Sequence, residues 1–191
     1  MYLFFDTETN GKPKRYGADF REVDNWPRIT QLAYAMLDND GIAMYHGSTL
    51  VAPDGWEIPK EKFFIDNNMS TERCQQEGLL IRNVLEDFMV PIHECEVMVA
   101  HNLAFDLPVI QAEMLRLNMK AGKRPEKYCT MLGSKDILKL PGKYDFKWPK
   151  LEELHKFLFN CDFDGAHDAL NDVMATAKCF FELKKRGLIT I

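Results

Sequence analysis

The chain has 191 residues, 46% hydrophobic and 28% charged, which is enough apolar material for one core and too little for two full ones, so residues 1–191 are read as a single domain. This composition excludes collagen-like, coiled-coil and disordered classes, and the longest apolar run, residues 32–37, is far too short for a membrane span. The net charge of −5 argues against a non-specific nucleic-acid coat, yet residues 120–150 carry nine Lys/Arg against three Asp/Glu, a local excess of six positive charges.

Residues 2–6 form an apolar run without alternation, as a strand buried on both faces would, and the run ends at the turn-rich Thr7-Glu8-Thr9-Asn10-Gly11. Residues 12–26 are polar and irregular. Residues 28–38 and 42–51 read as two strands joined through Asp38-Asn39-Asp40-Gly41, a hairpin signal. Helical spacing then takes over, with Leu80/Ile81, Val84/Leu85 and Phe88 in register. A short strand is predicted at 97–100 and a helix at 103–118 with Leu107, Ile110, Met114 and Leu117 on one stripe. A strand at 126–129 and helices near 130–138 and 149–158 follow. The last helix is predicted over 168–186, with Leu170, Val173, Ala177 and Phe180/Phe181 on its core face and Gly187 ending it. Strands first, then alternating helix and strand, give an α/β domain with a mixed sheet of about five strands.

The N-terminus shows no basic leader region or small-residue cleavage site. The five cysteines (74, 95, 129, 161 and 179) are scattered, with no C-x-x-C, which fits neither a disulfide framework nor a structural zinc site. A reduced, cytoplasmic protein is the expectation.

Three places carry candidate chemistry. Asp6 and Glu8 are two apart on a strand and so leave its C-terminal end on one face; such a pair repels itself and invites a cation, although two solvated turn acids would read the same way. Asp106 follows the strand at 97–100 and falls in the first turn of a helix, where an acid is favoured by the helix dipole alone but where ligands of open α/β sheets also collect. Asp172 borders the apolar stripe of the last helix, whose N-cap is Asp168. Five residues turn a helix by about 140°, so His167 belongs to the preceding loop, swung back over the helix start.

The order D-x-E … D … H-x-x-x-x-D resembles the DnaQ-like 3′–5′ exonucleases, in their histidine-containing DEDDh branch, which have an RNase H-like fold; the polymerase-III-epsilon-type proofreading exonucleases are of this kind. The matching segments are Phe5-Asp6-Thr7-Glu8-Thr9-Asn10-Gly11, His101-Asn102-Leu103-Ala104-Phe105-Asp106 and His167-Asp168-Ala169-Leu170-Asn171-Asp172. The tyrosine branch would need Tyr at 168, where this chain has Asp. Two departures stand out: Cys129-Thr130-Met131 where many relatives have Asp-Thr-Leu, and Asn67-Asn68-Met69-Ser70 in place of a His-Gly-Ile pattern. Cys129 is a poor substitute for a hard oxygen ligand and is given no metal role.

The resemblance implies two Mg²⁺ or Mn²⁺ ions held by Asp6, Glu8, Asp106 and Asp172. Asp6 would bridge the two, Glu8 and Asp172 would serve the nucleophile side, Asp106 the leaving-group side, and His167 would act as general base. It implies a nucleic-acid 3′ end as substrate, with DNA favoured over RNA, nucleoside 5′-monophosphate as product, and a separate polymerase or repair protein as partner. The backbone near Thr7 and the side chain of Asn102 are candidate contacts to the terminal nucleotide, and Lys143 and Lys147, within the basic segment, candidate phosphate contacts. An oligoribonuclease-type enzyme and a non-catalytic end-binding module are the alternatives.

Overall fold

The computed structural model describes residues 1–120, 122–163 and 168–191. Five strands form one sheet in the order β3-β2-β1-β4-β5: β1 (Tyr2–Thr9), β2 (Ile29–Leu37), β3 (Ala43–Leu50), β4 (Val97–Ala100) and β5 (Glu126–Cys129). The first three are antiparallel, while β4 and β5 run parallel to β1. Seven α-helices lie among the described residues: α1 (Lys62–Asp66), α2 (Thr71–Glu77), α3 (Ile81–Glu94), α4 (Leu103–Arg116), α5 (Thr130–Leu138), α6 (Leu151–Phe159) and α7 (Ala169–Lys185). This is the α/β mixed sheet expected from the pattern. None of these helices is long and apolar enough to cross a membrane.

The central strand is buried on both faces because each face meets its own layer. Leu3 and Phe5 point into a core shared with Val84, Leu85 and Phe88 of α3 and Val109, Ile110 and Met114 of α4. Tyr2 and Phe4 point the other way, into a core with Val173, Ala177 and Phe180 of α7, where the Phe4 and Phe180 rings lie 5.4 Å apart, edge to face. A third cluster packs Leu151, Leu154 and Leu158 of α6 on Ala175, Cys179 and Leu183 of α7. The chain winds from β1 outward through β2 and β3, then crosses to the opposite side of β1 for β4. The point where strand order reverses is therefore the gap beyond the C-terminal ends of β1 and β4, the place where open α/β sheets bind ligands.

The β2–β3 hairpin turns at Asp38–Gly41, as its composition predicts. The Asp38 carboxylate accepts from the N–H groups of Asp40 and Ile42, both at 2.9 Å. Gly41 is required twice over, by its φ of +81° and by the Phe181 ring 3.2 Å from where a Cβ would sit.

Two readings need correction, and one stretch holds elements that were not read at all. The stretch before α3 holds the two short helices α1 and α2, which the pattern did not indicate. Leu80, expected on the α3 core stripe, is an exposed N-cap instead. On α4 the buried face runs through Asp106, Val109, Ile110, Glu113 and Met114, leaving Leu107 and Leu117 half-buried at its margin. The cause is Glu113, an acid with 1% of its side chain exposed. Its Oε1 takes Arg28 Nε at 2.7 Å and the Ile29 N–H at 3.3 Å, with Arg116 Nη1 at 3.2 Å. Arg116 in turn donates to the carbonyls of Val23 and Trp26. This network ties residues 10–28, the segment leaving the end of β1, onto α4; Asn10 and Arg28 close its base through paired hydrogen bonds of 2.9 and 2.8 Å.

Removing one partner of a buried ion network strands the others without water. Glu113→Ala is expected to destabilise the protein by about 3–5 kcal/mol. Thermal unfolding measures that loss, and hydrogen exchange should show protection falling first across residues 10–28.

Candidate active site

The period of two along β1 sorts its C-terminal residues by layer. Asp6 and Glu8 continue the row of Tyr2 and Phe4 and so face α7, while Thr7 continues the row of Leu3 and Phe5 and faces α4. Asp172, in the first turn of α7, meets the first pair. One carboxylate oxygen from each of Asp6, Glu8 and Asp172 lies within 4.8 Å of the others. Asp106, fully buried at the start of α4, is gripped by Thr7, whose N–H and hydroxyl donate to Asp106 Oδ1 at 3.1 and 2.7 Å. Asp106 stands outside the tight trio but within its electrostatic reach. All four predicted acids are thus brought to one place.

The placement of Asp106 depends on the bend between β4 and α4. Asn102, the N-cap, has φ +76°, a left-handed conformation that asparagine tolerates better than most residues. Next to it, His101 bridges Thr130 Oγ1 at 2.9 Å and the Pro149 carbonyl at 3.0 Å. Burial pushes its pKa down to about 4, so the neutral ring donates from Nε2 to Pro149 and accepts from Thr130 at Nδ1. His101 is a brace, not a titrating group. At α7, the Asp168 carboxylate caps the helix through the N–H groups of Leu170 and Asn171, as predicted. His167 lies outside the described residues.

The electrostatics follow from packing four like charges at a sheet edge. Asp6 is held well above the ordinary carboxylate range by burial, then by Asp106, Glu8 and Asp172. Burial and the charges of Asp172, Asp106 and Asp168 push Glu8 up to about 8. Asp106 rises to about 7, burial outweighing the two hydrogen bonds from Thr7 that favour its charged form. The donors are all hard oxygens, they converge, and their charges repel one another. That set fits a divalent cation of the Mg²⁺ or Mn²⁺ kind, with Asp6, Glu8 and Asp172 as its holders and Asp106 beside them.

The sequence reading missed the wall beside Glu8. Phe63 and Phe64 of α1, with Asn67 and Met69, line a small pocket against Glu8, Thr9 and Thr30. A cleft of about 640 Å³ continues past Asn67 and Met69 to Arg73 and Asp168. Asn68 sits at φ +51°, a position that glycine or asparagine fills, so losing the glycine of the His-Gly-Ile pattern leaves the turn intact. The Ser70 N-cap, which accepts from the Arg73 N–H, was the available signal for α2. Thr7 spends both its donors on Asp106, while Asn102 is the half-buried N-cap of α4. Lys143 and Lys147 lie apart from the acids, on an exposed hairpin before α6, and Lys147 is ion-paired with Glu153. Cys129 N-caps α5.

An RNase H-like sheet with a cluster of acids at its switch point defines a metal-dependent nuclease class. A family model described as Exonuclease (RNase_T) matches residues 3–180. The chain belongs to this family, the DnaQ-like exonucleases. Among solved structures, E. coli exonuclease I in complex with a dA16 oligonucleotide superposes with a TM-score of 0.73 at 17% identity, over 97% of this chain and 41% of that one. Exonuclease X in complex with 5′ overhanging duplex DNA gives 0.64 at 21% identity, over 98% and 93%. A product-bound exonuclease I gives 0.71 at 14%, over 98% and 44%. The chain therefore spans about two fifths of exonuclease I and nearly all of exonuclease X. A search of curated proteins finds no match.

The raised carboxyl pKa values predict an inverted stability profile for the metal-free protein. Between about pH 4.5 and 8 the folded site keeps protons that the unfolded chain has given up, so this site's contribution falls as pH rises through that window. Thermal unfolding in EDTA is expected to show Asp6→Asn gaining about 3 °C or more over the parent at pH 8 and little at pH 4.5. Added Mg²⁺ or Mn²⁺ should raise the parent's Tm most at the alkaline end; equal shifts at both ends would contradict the assignment.

Proposed function

We propose that the protein removes nucleotides from single-stranded or frayed DNA 3′ ends, using two divalent cations and His167 as general base. The single observation that carries this reading is the convergence of Asp6, Glu8 and Asp172 within 4.8 Å, beside a buried and hydrogen-bonded Asp106, at the edge of a sheet of this family. The DNA complexes of exonuclease I and exonuclease X support DNA over RNA as the polymer.

In this reading Asp6, Glu8 and Asp172 would hold the cations, Asp6 serving both and Glu8 and Asp172 the nucleophile side, and Asp106 would serve the leaving-group side. When bound, such cations neutralise developing charge on the attacking and leaving oxygens of a phosphoryl displacement. The chain's own residues do the rest. Thr7 locks the Asp106 carboxylate in one orientation. Asp168 fixes the start of α7, and with it Asp172. His167, immediately before that cap, takes a proton from the attacking water at a ring nitrogen, a task suited to an imidazole near neutral pH. The wall of Phe63, Asn67 and Met69 would bound the space for the terminal nucleotide, with Asn102 as a candidate contact to it.

Matched 3′-labelled DNA and RNA strands, offered with Mg²⁺, Mn²⁺ or EDTA, test this directly. The expected result is stepwise release of 5′-monophosphates from DNA, dependent on metal. Asp6→Asn and Asp172→Asn should abolish turnover, and His167→Ala should slow it by about 10²–10⁴-fold while metal still binds. Faster release from RNA would overturn the substrate assignment, and an unchanged His167→Ala rate would remove the base.

A further inference from the structure

Between α5 and α6 the chain makes a projection that the acid cluster does not use. Residues 141–148 are exposed without a break. A bridge between Pro141 and Phe146, together with the Lys147 N–H to Leu140 carbonyl bond of 2.9 Å, closes them into a narrow hairpin. Gly142 allows that closure: a Cβ there would stand 2.3 Å from the Asp145 carbonyl. At its C-terminal end the hairpin is fixed by the buried Pro149, whose carbonyl accepts from His101, one residue before the Asn102 bend that positions Asp106. The projection is thus tied to the strand-to-helix bend that carries Asp106.

Its composition is unusual for a solvent-facing tip. Tyr144 is 90% exposed and Trp148 61%, with Phe146 between them. Large aromatic rings clustered on one short projection are a binding feature, unlike single exposed apolar residues scattered over a surface. Lysines interleave them: residues 139–150 hold Lys139, Lys143, Lys147 and Lys150 against Asp145 alone, in a chain whose net charge is −5. Lys143 Nζ lies 5.0 Å from the centre of the Tyr144 ring, so a flat apolar face and a positive charge sit side by side. Aromatic faces beside ammonium groups match a polymer of flat bases joined by phosphates, since every base has a face to stack and every linkage a charge to neutralise.

We propose that the 139–150 hairpin is a stacking platform for single-stranded nucleic acid, in which Tyr144 and Trp148 hold bases upstream of the terminal nucleotide and Lys143 meets the phosphate between them. This rests on the nuclease reading of the acid cluster, and it assigns the hairpin the grip on longer strands. It departs from a diffuse basic track, because Lys135 and Lys147 are already paired with Asp145 and Glu153 and the rings contribute independently of salt.

The test compares a dinucleotide with a twelve-nucleotide DNA strand. For Tyr144→Ala/Trp148→Ala, KM for the long strand should rise about tenfold or more, while kcat and all dinucleotide constants stay at parental values. Lys143→Ala should give a smaller rise that vanishes at high salt. A separate arm needs no turnover: in EDTA, adding the long strand to the intact protein should quench the fluorescence of Trp148, the only strongly exposed one of three tryptophans, and the quench should be absent in Trp148→Phe. Loss of turnover in the parent with quenching intact would sink the nuclease reading and leave the platform standing. Parental KM on the long strand, an equal KM rise on both lengths, or no quench would overturn the platform and give the aromatic tip to a protein partner.

Discussion

Four carboxylates at one end of a buried strand repel one another, and the organisation of this molecule turns on that repulsion. Burial and mutual charge hold Asp6, Glu8 and Asp106 far above ordinary carboxylate pKa values. No folding advantage comes from such an arrangement: it lowers stability at neutral pH and must be compensated elsewhere in the fold. A cation with oxygen preference removes the penalty and makes the same groups a tight, preorganised cage.

The scaffold is built to impose this unfavourable meeting. Residues of β1 alternate between two apolar layers, so a single strand addresses α7 through Asp6 and Glu8 and α4 through Thr7. Aromatic packing of Phe4 on Phe180 fixes α7 against the strand, and Phe5 on Phe88 fixes α3, which shares its core with α4. The helix starts are then set by specific polar contacts: Asp168 caps α7, Asn102 bends into α4, and His101 braces that bend against Thr130 and Pro149. On the far side, Glu113 secures the segment that leaves the strand. Each acid is thereby placed by a rigid element and not by a flexible loop.

Much of this was legible in the chain itself. Asp6 and Glu8 stood out because a strand's period of two puts both on one face at its end, although two solvated turn acids would read the same way until the other acids are placed beside them. Asp106 and Asp172 stood out because each follows a short loop into the first turn of a helix with a clear apolar stripe. The helix α1 was not legible and α2 left only its Ser70 N-cap, since elements of five and seven residues bury one side chain each, Phe64 and Cys74, and carry no period. The buried face of α4 was misjudged by following apolar residues alone. It passes through Glu113, whose partners Arg28 and Ile29 are more than eighty positions away and leave no local trace. The role of residues 139–150 was only half visible: the lysine excess can be counted, but exposure of Tyr144 and Trp148 is a property of the folded hairpin.

Calorimetric titration of Mn²⁺ into the metal-free protein, repeated in buffers of different ionisation enthalpy, measures the central claim most directly. Because the vacant cage holds protons near neutral pH, binding should release protons at pH 7, less above pH 9, and Asp6→Asn should abolish the high-affinity heat. Binding without proton release at pH 7, or undiminished binding in Asp6→Asn, would contradict the account.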